Sequence, residues 1–314
     1  ETEPLYVFQW ALNYAKSYFN EFPETFKSGL DLNVEPVHRE GVKGQGVNVL
    51  VVDSGVDLHN EDLAPNADFS MSWNFVTQTN DPYPVIQKTD NGNPQRTNVA
   101  SIISATQNGK AVVEKKKKKK IGAVNYLQNQ EDNFAAALGG AAWSSKADIF
   151  NASFGSRKAI HFSYEDETDS ATPVVRGMKK LRNGKGAIFV KAAGNSFSEE
   201  LCGYSKSYYD CSNPVADFSA REPNAIVVAA LNAFGQASSY SSAGSVVWVT
   251  GMGGEYGAAG NYGEGKYSAY SGPTIFTTDM RGCDAGYSKK GAVTPFLRGE
   301  TVRNGVADNL QCDY

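Results

Sequence analysis

Apolar and polar positions alternate in blocks along the chain, and each apolar block has the length of one buried element. Gly46-Val47-Asn48-Val49-Leu50-Val51-Val52-Asp53 is a β-branched run that ends in an acid. Asp148–Gly155, Ala187–Asn195 and Ala225–Leu231 have the same character, and Ala187–Asn195 ends in Gly-Asn before Ser196. Runs that are apolar on both faces suit the central strands of a parallel sheet. Between them, Val99–Ala105 reads as the start of a buried helix, Phe134–Trp143 as one Ala-rich helix, and Val174–Leu181 as a third helical stretch. Strands alternating with helices predict an α/β domain of three layers, a mostly parallel central sheet with helices on both faces. An aromatic-rich arm precedes this region, with Leu5, Phe8, Trp10, Leu12, Tyr14 and Tyr18 at partly helical spacing. From about Ala233 to Gly272 glycine, serine and tyrosine dominate, which predicts loops and short strands packed on the same core.

Composition narrows the class. The 314 residues are 41 % hydrophobic and 20 % charged, which excludes a disordered chain, a coiled coil and collagen. No apolar run approaches the roughly 20 residues of a membrane-spanning helix. The net charge is −4, yet six of the 30 lysines and arginines form one block, Lys115–Lys120. The remaining surface is therefore acidic, and neither nucleic acid nor membrane is an expected partner. Six adjacent like charges repel one another and do not make a buried strand. The block reads as a solvated loop, as a stretch standing in for other residues, or as a small polyanion-binding patch.

Cys202, Cys211, Cys283 and Cys312 form two local pairs in sequence, with no C-x-x-C spacing that would suggest zinc. Two structural disulfides in an exported, extracellular protein are one reading, and buried free thiols are the other. The chain opens on Glu1-Thr2-Glu3-Pro4 with no secretory n-region or h-region, which reads as a mature terminus or as an arbitrary boundary.

Asp53 is the first candidate for chemistry, because ligands of open α/β sheets gather outside the carboxyl ends of the strands. Asn195, after Gly194, ends another strand, although Gly-Asn is also ordinary turn chemistry. The order of these residues adds weight. Gly44-x-Gly46-Val47, Val51-Val52-Asp53-Ser54-Gly55-Val56-Asp57 and Glu61-Asp62-Leu63 together resemble the strand that bears the catalytic Asp of subtilisin-like serine proteases. Glu3-Pro4-Leu5, Gln9-Trp10 and Asp31-Leu32-Asn33-Val34 resemble the entry segment of the kexin-like branch. Asp148-Ile149 with Ser153-Phe154-Gly155 is similar to its substrate-aligning strand, and Ala192-Ala193-Gly194-Asn195-Ser196 to the strand carrying the oxyanion-hole Asn. Thr277-Thr278-Asp279-Met280-Arg281-Gly282-Cys283 resembles the strand that leads toward the nucleophile.

The resemblance implies a subtilisin-like fold over residues 1–314 and a secreted serine endopeptidase that hydrolyses peptide bonds through an acyl-enzyme. Asp53 would orient a histidine and stabilise its imidazolium, and the Asn195 amide would donate to the oxyanion. Ser153 and Gly155 would let an extended peptide pair as an added strand. Glu200 matches an acid that lines a pocket for basic residues, although Ser205 and Ser156-Arg157-Lys158 replace its acidic companions. Asp62 matches a ligand of structural calcium, with Glu3 near a second position, and a propeptide, chaperone or inhibitor is the expected protein partner.

Two motifs depart from the pattern. Gln95-Arg96-Thr97-Asn98-Val99-Ala100 stands where the family has its histidine, and a glutamine is no general base near neutral pH. His38, His59 and His161 do not fall at that position. Gly-Thr-Ser, the nucleophile motif, does not occur in the 314 residues. The chain as written is therefore expected not to turn over and, without the nucleophile-bearing helix, to be prone to aggregation. The alternative function is a non-catalytic relative that binds an extended peptide or a partner protein in the same groove.

Overall fold

The computed structural model describes residues 6, 9–14, 29–85, 95–106, 119–155, 171–195, 213–255, 273–275 and 277–282. The β-branched run after Gly46 becomes β1 (Asn48–Asp53), buried from Val49 onward. It is joined by β2 (Trp73–Asn74), β3 (Lys120–Asn125), β4 (Ile149–Ala152), β5 (Ile188–Ala192), β6 (Ala225–Leu231) and β7 (Val247–Met252). Among the described residues these form one sheet in the order β2-β3-β1-β4-β5-β6-β7, and every neighbouring pair is parallel. The chain leaves β1 for one edge through β2 and β3, then crosses to build the other side from β4. That reversal makes the carboxyl end of β1 a switch point, where this class of sheet binds its ligands.

Register explains which face each residue buries. Leu50, Phe150 and Phe189 stand in one row, and Val52, Ala152 and Lys191 in the next row of the same face. Val175 and Met178 pack on that face, with Leu138 and Ala147. They come from α3 (Ala171–Gly177), its 3₁₀ extension Met178–Lys180, and the segment 131–147. On the opposite face Val51, Ile121 and Ala123 meet Ala100, flanked by Val99 and Ile103, from α2 (Gln95–Ser104). Helices therefore cover both faces, as the alternation of elements predicts. A short entry helix α1 (Glu35–Arg39) buries none of its side chains and carries His38.

Two elements differ from the sequence reading. The Ala-rich stretch 134–143 is not one helix. Its path breaks at Leu138 (φ −109°, ψ 48°) and Gly139 (φ 93°, ψ 0°). A Cβ on Gly139 would lie 2.6 Å from Leu181 Cδ1, so packing against α3's extension imposes the break. The Ser144 hydroxyl stabilises it, accepting the Gly139 and Ala141 N–H groups at 3.1 and 3.2 Å and donating to the Ala136 carbonyl at 2.5 Å. The second difference is β3, which begins on the last residue of the lysine block. Lys120 remains exposed and pairs with Asp68 at 2.8 Å, while Ile121–Asn125 is fully buried. Burial alone would raise the Asp68 carboxyl, but hydrogen bonds from Lys120 and Ser70 outweigh it and hold the group below its usual value.

The aromatic arm docks on a separate cluster. Trp10 and Tyr14 pack with Ala233, Leu30, Met252 and Ile275. The Trp10 indole N–H donates to the Thr274 carbonyl at 2.8 Å, and the Tyr14 hydroxyl to the Ala233 carbonyl at 2.5 Å. Trp10→Phe replaces a fully buried indole by a smaller ring and orphans a carbonyl, and is expected to cost at least about 2 kcal/mol in urea unfolding. An unchanged midpoint would show that this bond does not hold the arm.

Candidate active site

Three strand ends lie side by side. Asp53 follows the register pair Val52–Ala152, and Ser153 and Ala192 follow the pair Ala152–Lys191. Asp53, Ser153 and Ala192 are thus at one level, and Asp53 and β5 are two strands, about 10 Å, apart. The Asp53 carboxylate is 7 % exposed, and its Oδ1 accepts the Ser54 N–H at 2.7 Å and the Ser54 hydroxyl at 3.1 Å. The Asp53 carbonyl accepts the N–H groups of Tyr126 and Leu127 at 2.7 and 3.0 Å, which fixes the backbone that carries the acid. A carboxylate so held is suited to orienting a cationic partner.

Asn195 lies on the same edge and is exposed. It is delivered by Gly194 at φ +111°, a conformation that a side chain rarely adopts. The Gly194 carbonyl accepts the Ser242 N–H at 2.9 Å, and a Cβ on Gly194 would be 3.1 Å from Ser242 Oγ. Ser153 is exposed between the two, and its hydroxyl accepts from the Asn151 amide at 3.1 Å. Gly155 is exposed as well.

A second layer ties the loop after β1 to the segment 277–282. Asp57 is fully buried, its Oδ2 accepting the Arg281 N–H at 3.1 Å and Arg281 Nε at 2.9 Å, its Oδ1 the His59 N–H at 3.1 Å. The Asp57 N–H donates to Thr97 Oγ1 at 3.1 Å, so the first turn of α2 is fastened to the same loop. Asn60, also buried, donates to the Asp279 carbonyl at 3.0 Å. Burial pushes the neighbouring Tyr83 hydroxyl up, Asp57 adds to this and Arg281 opposes it.

Asp62 is buried in this layer, and its Oδ2 accepts the Thr278 hydroxyl at 2.9 Å. Among the described residues no group of three or more His, Cys, Asp or Glu side chains converges to hold a metal. His59 pairs instead with Asp81 at 3.0 Å and lies against the Phe69 ring. Gln95 opens α2. Glu3, Glu200, Ser205, Ser156-Arg157-Lys158, His161, Lys115–Lys118 and all four cysteines lie outside the described residues.

The sequence reading missed several residues of this region. Lys191, in the apolar run of β5, is 2 % exposed and forms an ion pair with Asp217. A lysine inside an otherwise apolar strand is itself a signal, because a buried ammonium requires a partner. Asp57, Thr278 and Arg281 gave no such signal, since their partners are more than 200 residues away in sequence.

The subtilase family model matches residues 44–282. The extracellular serine protease of Aeromonas sobria is 34 % identical over 273 residues, which is 83 % of this chain and 41 % of the relative. The microbial serine proteinase of Aeromonas salmonicida is 30 % identical over 307 residues, covering 93 % of this chain and 45 % of the relative. Kexin of Candida albicans is 26 % identical over 276 residues, 86 % of this chain and 26 % of its own length. The crystal structure of the A. sobria serine protease in complex with a chaperone matches at a TM-score of 0.77 and 30 % identity, over 99 % of this chain and 50 % of that one. The chain thus spans about half the length of these Aeromonas relatives or less.

Proposed function

Because this chain belongs to the subtilase family of serine-type endopeptidases, we propose that its full-length protein hydrolyses peptide bonds through an acyl-enzyme at the carboxyl ends of β1, β4 and β5. The observation that supports this most is the single level shared by Asp53, Ser153 and Ala192, with Gly155 and Asn195 beyond them on the same edge. An extended substrate adds as a strand along Ser153–Gly155. The Asn195 amide donates to the oxyanion as the carbonyl becomes tetrahedral, and Asp53 orients the base and stabilises its cation. The nucleophile is not assigned within these residues, and Gln95 occupies the position of the base. That glutamine favours a second reading, a groove that binds an extended peptide without cutting it.

By likeness to the A. sobria enzyme, the protein acts outside the cell and binds a chaperone. Among the described residues no helix is long and apolar enough to cross a membrane. Cleavage after basic residues is the specificity that Glu200 suggests. With Gln95→His as the parent, adding Asn195→Ala is expected to lower kcat about 10²–10³-fold with little change in KM, the loss found for the oxyanion donor of subtilisin itself. A kcat within twofold of the parent would remove Asn195 from the site.

Calcium at Asp62 rests on the family resemblance alone. If the ion binds there, saturating it at about 100 times Kd raises stability by about 2.7 kcal/mol. Thermal unfolding of the full-length protein, stripped by a chelator and then titrated with calcium, reads this as a rise in Tm. An unchanged Tm contradicts the proposal.

A further inference from the structure

β4 and β5 part after their last register pair, Ala152–Lys191. The end of β5 stays with β6, since the Ala193 N–H donates to the Val228 carbonyl at 2.9 Å, while the chain after β4 continues as Ser153–Gly155. The two backbones form a fork. One prong is the segment proposed to align a peptide, and the other leads to Asn195. Lys191 stands at the root of the fork, in register with Ala152 on a face otherwise made of Leu50, Val52, Phe150 and Phe189.

At 2 % exposure, water does not carry the charge of Lys191, and the protein does. Its ammonium donates to the Phe154 carbonyl, lies 3.0 Å from Asp217 Oδ2, and is 5.4 Å from the centroid of the Phe154 ring. A Cβ on Gly155 would be 3.2 Å from Lys191 Nζ and 2.9 Å from Asp217 Oδ2, so both charges sit directly behind that residue. The other Asp217 oxygen caps the helical turn Phe218–Arg221, accepting the Ser219 N–H at 3.0 Å and the Ser219 hydroxyl at 2.5 Å.

We infer that Lys191 is a specificity-determining residue: by pairing with Asp217 it makes the fork between Ser153–Gly155 and Ala193–Asn195 select an uncharged peptide side chain over arginine or lysine. The inference rests on the peptide-groove reading above and names what that groove admits. Asp217 alone, in a partly desolvated position, would attract a basic side chain through a charge-assisted hydrogen bond. With Lys191 in contact, its charge is already compensated, and an entering cation meets a second cation at the same carboxylate. An uncharged side chain meets a neutral pair and pays neither cost. This opposes the basic preference suggested by Glu200, and the two ideas give opposite results.

The test uses the full-length protein and N-terminally labelled pentapeptides of four alanines followed by arginine or norleucine, with Kd read by fluorescence anisotropy. The unaltered protein is expected to bind the norleucine peptide at least as tightly as the arginine peptide. Lys191→Met is expected to shift the affinity ratio at least tenfold toward arginine, and adding Asp217→Asn is expected to abolish the gain. Lys191→Gln, which keeps a donor for the Phe154 carbonyl, replaces the Met variant if that variant does not fold. Binding of neither peptide by the unaltered protein overturns the groove and the inference together. Binding with a ratio that neither Lys191 variant moves overturns the inference and leaves the groove standing.

Discussion

Gln95→His in the full-length protein is expected to raise peptidase kcat by at least about a thousandfold. A positioned general base contributes about 10²–10⁴ by itself, and in subtilisin the loss of the histidine costs about 10⁶. The scaffold around position 95 is in place. Gln95 opens α2, Thr97 fastens that first turn to the Asp57 N–H, and Asp57 lies four residues beyond the buried Asp53. Introducing Asp53→Asn into the Gln95→His protein should then lower kcat by about 10⁴, the loss found when this role is amidated in serine-protease triads. The amide keeps an oxygen for the Ser54 N–H that Asp53 Oδ1 now accepts, so Tm should change little. An unchanged rate in Gln95→His contradicts the assignment of position 95. A rise that survives Asp53→Asn contradicts the role given to Asp53.

The second large effect is on stability. Arg281→Met removes Nε from a carboxylate that is fully buried, and among the described residues leaves Asp57 with the N–H groups of residues 281 and 59. Breaking a buried pair from one side costs about 3–5 kcal/mol, because the remaining charge loses its compensation. Arg281 itself is half exposed, so the lower end, about 3 kcal/mol, is the expected cost. Asp57→Asn combined with Arg281→Met removes both charges and is expected to recover part of it. Urea denaturation of the parent and the two variants measures this. Equal stabilities for the single variant and the parent would mean that segment 277–282 is not clamped by this pair.

The parts of this site that were legible in sequence are those with a local cause. The run Val49–Asp53 is apolar on both faces and ends in an acid, so both the strand and the position of Asp53 follow from it. Gly194-Asn195 announces a turn, and the turn is there at positive φ. The Ala-rich stretch 134–143 misled, because alanine propensity favours a helix, whereas Gly139 and its contact with Leu181 decide for a break. The Lys115–Lys120 block hid the start of β3, whose buried part begins only at Ile121. Lys191–Asp217 and Asp57–Arg281 could not be paired from spacing, since neither pair lies at a helical or strand period within one element.

A crystal structure of the full-length protein bound to a peptide that ends in an aldehyde tests the central claim most directly. The account predicts that the peptide backbone pairs with Ser153–Gly155, with its terminal oxygen within hydrogen-bonding distance of the Asn195 amide. A peptide seated elsewhere, or one that meets neither segment, would contradict it.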